Sequence, residues 1–146
     1  MKLYTLIIIA CLALITACQG QGIQQEETIS PQQLGEEAVI DQTKADEAKK
    51  ILISMEEVIA VKGVNYEEDI YIASKVRHLD RLQLENIRKT GFEKIKKRYP
   101  EANVHLSTDA KVFMELEELE NKLKKNEISK SQTEKQVKKI EEDMKR

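Results

Sequence analysis

The chain has 146 residues, 40% hydrophobic and 34% charged, which suits one small domain with polar extensions rather than a large enzyme. Its formal charge of -2 is too even for a nucleic-acid binder, which carries a clear basic excess. Two Phe, four Tyr and no Trp leave little material for base- or sugar-stacking platforms.

The N-terminus reads Met1-Lys2, then residues 3–17 without a charge, then Cys18 and the polar Gln19, Gly20, Gln21 and Gly22. A membrane-spanning helix wants about 20 apolar residues, whereas a cleaved signal has a positive start, a core of about 7–15 apolar residues and small residues before the cut. The 15 positions here fit the leader better than an uncleaved anchor helix. Ile15-Thr16-Ala17-Cys18 resembles the bacterial lipobox, an aliphatic residue and two small ones before the cysteine that becomes the lipidated first residue. The Cys18 thiol is the side chain there able to take a diacylglyceryl group as a thioether, and Ala17 gives a membrane-embedded peptidase access to the bond. An ordinary secretory signal with an incidental cysteine is the competing reading. Cleavage would remove Cys11 and Lys2, leaving one acylated cysteine, 23 basic and 26 acidic residues. No disulfide or thiolate metal site would then be available. At about 0.8 kcal/mol per buried methylene, two or three acyl chains fix a protein to the bilayer essentially permanently. The expected location is the extracytoplasmic face of the cell membrane, with Cys18 as the lipid attachment and residues 1–17 as signal peptide.

Residues 18–42 follow as the lipidated cysteine and a linker. Positions 19–42 hold seven glutamines, five acidic residues, no Lys or Arg, and Gly20, Gly22, Pro31 and Gly35, a composition expected to stay disordered. As a flexible chain it would reach roughly 27 Å, at about 5–6 Å times the square root of its length.

From Thr43 the spacing turns helical, with Ala45, Ala48, Ile51, Leu52 and Met55 on one face, Lys44, Glu47, Lys49 and Lys50 elsewhere, and Thr43 as cap. "EVIAVKGVNYE" and "DIYIASKV" are β-branched and apolar enough for strands joined by a polar hairpin. A second helix is predicted from about Asp80 to Tyr99, with Leu84, Ile87, Ile95 and Tyr99 in a stripe that Gly91 interrupts and Pro100 stops. "NVHLS" alternates Val104 and Leu106 with polar residues as a third strand. Strands joined by a short loop pair antiparallel, and strands flanking a helix pair parallel through a right-handed crossover. The expected fold is α+β: a small two-layer sandwich of order α-β-β-α-β with a three-stranded mixed sheet. Its helices would bury Ile59, Val61, Ile70, Ile72, Val104 and Leu106.

A further helix starts at "STDAKVF", with Ser107 or Thr108 as cap and Val112, Leu116, Leu119 and Leu123 as its seam. The register continues to Val137, Ile140 and Met144, but Asn126, Lys130 and Thr133 break one unbroken coiled coil. "NEISKSQ" reads as a helix-hairpin turn, with Asn126 at a helix end and Ser129 and Gln132 forming a capping box. A fraying charged tail is the alternative for residues 124–146. The α+β domain proper is expected over residues 43–123.

The lipobox leader, the polar linker, "ADEAKKILISMEEVIAVKGVNYEEDIYIASKV" and "RYPEANVHLSTDAKVF" together resemble the YhcN/YlaJ-type sporulation lipoproteins of endospore-forming bacteria. The likeness runs from Met1 to about Leu123. It implies a lipoprotein made during sporulation, lodged in the forespore or inner spore membrane and contributing to germination or outgrowth, with no known reaction.

Candidates for chemistry are few. His78 and His105 fall in different elements with no metal-triad spacing. Ser74, Ser107 and Thr108 lack a Gly-x-Ser-x-Gly elbow or a paired base. Glu67, Glu68 and Asp69 gather at the hairpin tip as solvated carboxylates. The reading is therefore a membrane-tethered, non-catalytic interaction module. It would have no cofactor, metal or nucleic-acid partner, but would hold membrane lipid through Cys18 and an unidentified protein. The alternative is a small wall-associated hydrolase or peptidoglycan-binding protein using carboxylates on the open sheet face. A third reading has Arg88, Lys89, Lys94, Lys96, Lys97 and Arg98 meet an anionic leaflet.

Overall fold

A computed structural model describes residues 30–35 and 38–146. The elements are α1 (Thr43–Ile53), β1 (Val58–Tyr66), β2 (Asp69–Val76), a 3-10 segment (His78–Gln83), α2 (Leu84–Arg98), β3 (Asn103–Ser107), α3 (Ala110–Lys124) and α4 (Lys130–Met144). Strand order is β1-β2-β3, with β1 antiparallel and β3 parallel to the central β2. The α+β class and the mixed sheet are those expected.

Central β2 is apolar on both sides, and this decides the layering. Ile70 and Ile72 join a core with Ala48 and Leu52 of α1 and Ile87 and Ile95 of α2. Tyr71 and Ala73 face the other way, into a core with Leu116 and Leu119 of α3 and Val137 and Ile140 of α4. The C-terminal helices form the hairpin rather than a frayed tail. They add a third layer to the expected two and cover the sheet face that a carboxylate site would have used. Residues 124–146 thus share a core with residues 43–123.

Local chemistry sets the boundaries. Asp109, one residue beyond the two expected caps, accepts from the Lys111 and Val112 amides to start α3. Asn126 takes the left-handed φ of 55° after α3, with its amide on Leu123 O and that of Glu127 on Lys122 O, a Schellman end. Ser129 and Gln132 form the full capping box of α4. Thr43 does not cap α1. Its hydroxyl is turned to Asp41, and the Asn65 side chain, reaching across from β1, accepts from the Ala45 amide instead.

Three core expectations shift. A bulge between Val58 and Ala60 turns Ile59 outward, 41% exposed, while Val58 and Val61 face the core. Gly91 does not interrupt the α2 stripe but completes it: a Cβ there would lie 2.6 Å from Leu52 Cδ2, so its absence lets α1 approach. The chain before α2 is a 3-10 turn with no buried residue, so α2 begins at Leu84 rather than Asp80.

The segment expected to be a disordered linker ends inside the fold. Pro31 and Leu34 are buried, and Leu34 belongs to the α3/α4 core. Gln42 is fully buried, its side-chain amide donating to Asn65 O and accepting from Asn65 N, each at 2.9 Å. It pairs with the outer edge of β1 as a neighbouring strand would, and blunts that edge.

Candidate functional site

Cys18, the one site residue the sequence nominates, lies outside the described residues. What the structure does describe is the place where the chain from Cys18 joins the domain. Residues 31–35 form a strap against α1 and α3, fastened by one buried polar cluster.

Asp46 of α1 accepts from the Leu34 and Gly35 amides through Oδ2, at 2.8 and 2.7 Å. Its Oδ1 lies 2.9 Å from Lys49 Nζ, one helical turn on. That ammonium group is completely buried; it donates to the Gln32 carbonyl of the strap and, at 3.0 Å, to Glu120 Oε1 of α3. Glu120 is equally buried, and the same oxygen accepts from Gly63 N on the outer edge of β1 at 2.8 Å. Lys62 Nζ approaches Glu120 Oε2 at 3.5 Å and Glu117 at 3.3 Å, closing the cluster toward solvent. Lys49 and Glu120 together therefore tie strap, α1, α3 and the sheet edge.

A buried charge is costly unless paired and hydrogen-bonded, and Lys49 makes two hydrogen bonds, to Gln32 O and Glu120 Oε1, with the Asp46 carboxylate beside it as a second counter-charge. The arrangement holds position; it offers no open coordination site and no free nucleophile. Sequence reasoning placed Lys49 with the solvated residues. The available signal was that Lys49 and Glu120 each sit on the apolar stripe of their helices, four residues from Ala45 and from Leu116.

The other nominated residues do not converge. His78 is exposed at the start of the 3-10 segment. His105 on β3 stacks on Tyr71 at 4.6 Å and its Nε2 lies 2.8 Å from Asp69 Oδ1, a pair within the sheet. Tyr71 is held protonated well above the usual tyrosine range by burial, reinforced by Asp69 and Glu141. Ser74 is buried, Ser107 accepts from Asp109 N, and Thr108 accepts from Arg88. Glu68 pairs with Lys44 at 2.8 Å, and Glu67 occupies the left-handed position of the hairpin, φ 54°. Among the described residues no set of three or more His, Cys, Asp or Glu could hold a metal ion. Among them, too, no helix is long and apolar enough to cross a membrane.

Of the basic residues on α2, Arg98 pairs with Glu47, Lys96 donates to Pro100 O and Ala102 O, and Arg88 binds Thr108. Lys89, Lys94 and Lys97 are exposed. Glu47 also accepts from the Tyr99 hydroxyl at 2.7 Å, which holds its carboxyl below the usual range with help from Arg98. Comparison with protein-family models, curated proteins and solved structures found no match.

Proposed function

We propose that the protein is a lipid-anchored extracytoplasmic module that acts by binding another protein rather than by catalysis, in sporulation or in spore germination and outgrowth. The observation that carries the reading is the pairing of an Ile15-Thr16-Ala17-Cys18 lipobox with a strap, a dozen residues later, fastened into the domain by buried charge. A module whose task is to be held at a surface needs a firm junction with its tether, and among the described residues the buried Asp46, Lys49 and Glu120 gather there. The scattered placement of His78, His105, Ser74 and the hairpin carboxylates supports the non-catalytic side of the reading. The sporulation setting rests on the likeness to the YhcN/YlaJ-type lipoproteins.

The test follows a tagged copy, expressed from its own promoter, through growth and sporulation beside a Cys18→Ala control. Expected are a thioether-linked diacylglyceryl group on Cys18 by mass spectrometry, and arrival in the forespore membrane that the control loses. An unmodified Cys18 would end the anchor reading. Acylation with steady expression in growing cells would end the sporulation role alone.

A further inference from the structure

Two leucines of the 3-10 segment face solvent almost completely, Leu79 at 88% and Leu82 at 97% exposure. Scattered exposed apolar residues are ordinary, but these share one six-residue turn with no buried side chain. Nothing in the packing of the domain calls for leucine at either position. Beside them opens a groove of about 380 Å³ lined by Ile59, Val76 and Leu84 together with Lys75, His78 and Arg81. Asp109, the carboxylate on its wall, is occupied in capping α3.

Charge singles out the same stretch of chain. Residues 77–98 carry eight basic and three acidic side chains, a net +5, in a chain of formal charge -2. Everything else therefore sums to -7. Arg77 is tied to Asp80 and Glu56, but Arg81, Lys89, Lys94 and Lys97 form no ion pair among the described residues.

We infer that Leu79 and Leu82 enter the headgroup region of an anionic leaflet, with Arg81 and the exposed lysines of α2 meeting its phosphates. This docking rests on the lipid-anchor reading. Exposed apolar side chains within a basic stretch of chain are the composition that favours an anionic interface over water. The tether allows the pose: eleven residues separate Cys18 from Ser30, a contour of at most about 40 Å at roughly 3.3–3.6 Å each. A domain of this size is about 35 Å across, from its expected radius of gyration, so any face can turn to the bilayer and charge selects which. Tethering also holds the face near lipid at an effective concentration on the order of mM, so weak docking suffices.

The chain has no tryptophan, so Leu82→Trp is a silent-background reporter at a position that folding does not use. The mature acylated protein, residues 18–146, would be reconstituted into vesicles of phosphatidylcholine, with or without phosphatidylglycerol. Docking predicts blue-shifted emission, quenched by lipids brominated on their acyl chains, only when phosphatidylglycerol is present. The shift should be lost with Arg81→Glu and Lys89→Glu together, and in about 1 M salt, where the Debye length is about 3 Å. Water-like emission in both vesicles, from protein that floats with them, would overturn the docking and leave the anchor intact. Failure to float with neutral vesicles would remove the anchor and the docking with it. A blue shift without vesicles that grows with protein concentration would assign the leucines to a second copy of the chain and overturn the inference.

Discussion

Replacing Lys49 by Met tests the strap junction directly. Methionine matches the lysine stem in length, so the change chiefly deletes the ammonium group. It leaves Asp46 buried with no cation beside it, Glu120 with only the more distant Lys62, and the Gln32 carbonyl without its donor. Removing one partner of a buried ion pair costs about 3–5 kcal/mol. Residues 30–146 at roughly 0.05–0.15 kcal/mol each give a total stability of about 6–17 kcal/mol, so the loss is large but survivable. With a urea dependence of about 1.5 kcal/mol per molar, the unfolding midpoint should fall by about 2–3 M. Proteolysis should also cut within residues 30–42 before the rest of the domain opens, since the strap loses its fastening first. Glu120→Gln keeps an acceptor for Gly63 N while removing the charge. Combined with Lys49→Met it should destabilise less than the sum of the single changes, by at least about 1 kcal/mol, because the two groups touch. A midpoint unchanged within about 0.3 M, or strict additivity of the pair, would refute the account of Lys49 as a desolvated, paired charge.

Two further outcomes follow from the described contacts. In Gly63→Ala the new Cβ would lie 2.9 Å from the Tyr71 carbonyl oxygen and 3.0 Å from Ile72 Cγ1, where backbone must move. Overpacking of this kind costs about 1–3 kcal/mol. Calorimetry should show a fall of roughly 4–12 °C, and an unchanged midpoint would mean that the sheet yields freely there. With pH, Glu47 is held below 4.5, first by the Tyr99 hydroxyl, and Asp143 below 3.8, first by Lys111. A depressed carboxylate contributes stability above its unfolded value that is lost as pH falls through the folded one, so unfolding midpoints should hold to about pH 5 and drop below. Burial, then the Glu47 contact, raises Tyr99 from 10.0 to about 12, a contribution complete below 10 and lost as pH rises through 12. Tyr99→Phe should remove a late step from the native tyrosinate titration; loss of a step near 10 instead would contradict the buried contact.

Elements with local signals were legible from sequence. β-branched alternation marked β1, β2 and β3, and the Ser129/Gln132 spacing and Asn126 marked the turn between α3 and α4. Features set by distant residues were not. The α1 N-terminus is closed by Asn65, twenty residues away, so the nearby Thr43 was a false lead. The 24-residue polar stretch has a composition that disfavours order, yet Gln32, Leu34 and Gln42 within it are fastened to the domain because Lys49, Asp46 and Asn65 supply the partners. Gly91 reads as a gap in a one-dimensional stripe but is a contact point once α1 lies across it. Of the candidate site, the sequence nominates Cys18 and not the buried cluster at the strap, since a lysine and a glutamate 71 positions apart announce no pairing.

Fastening the strap by side chains from two layers also has a mechanical meaning. Tension arriving at Ser30 would not peel α1 from the end of the chain. It would pass at Gln32 to Lys49, and from there to Glu120 on α3 and to the rim of β1 at Gly63. Layers on both sides of the sheet then bear the load together, in shear rather than in sequence. A domain pulled at that point would yield as a unit rather than helix by helix.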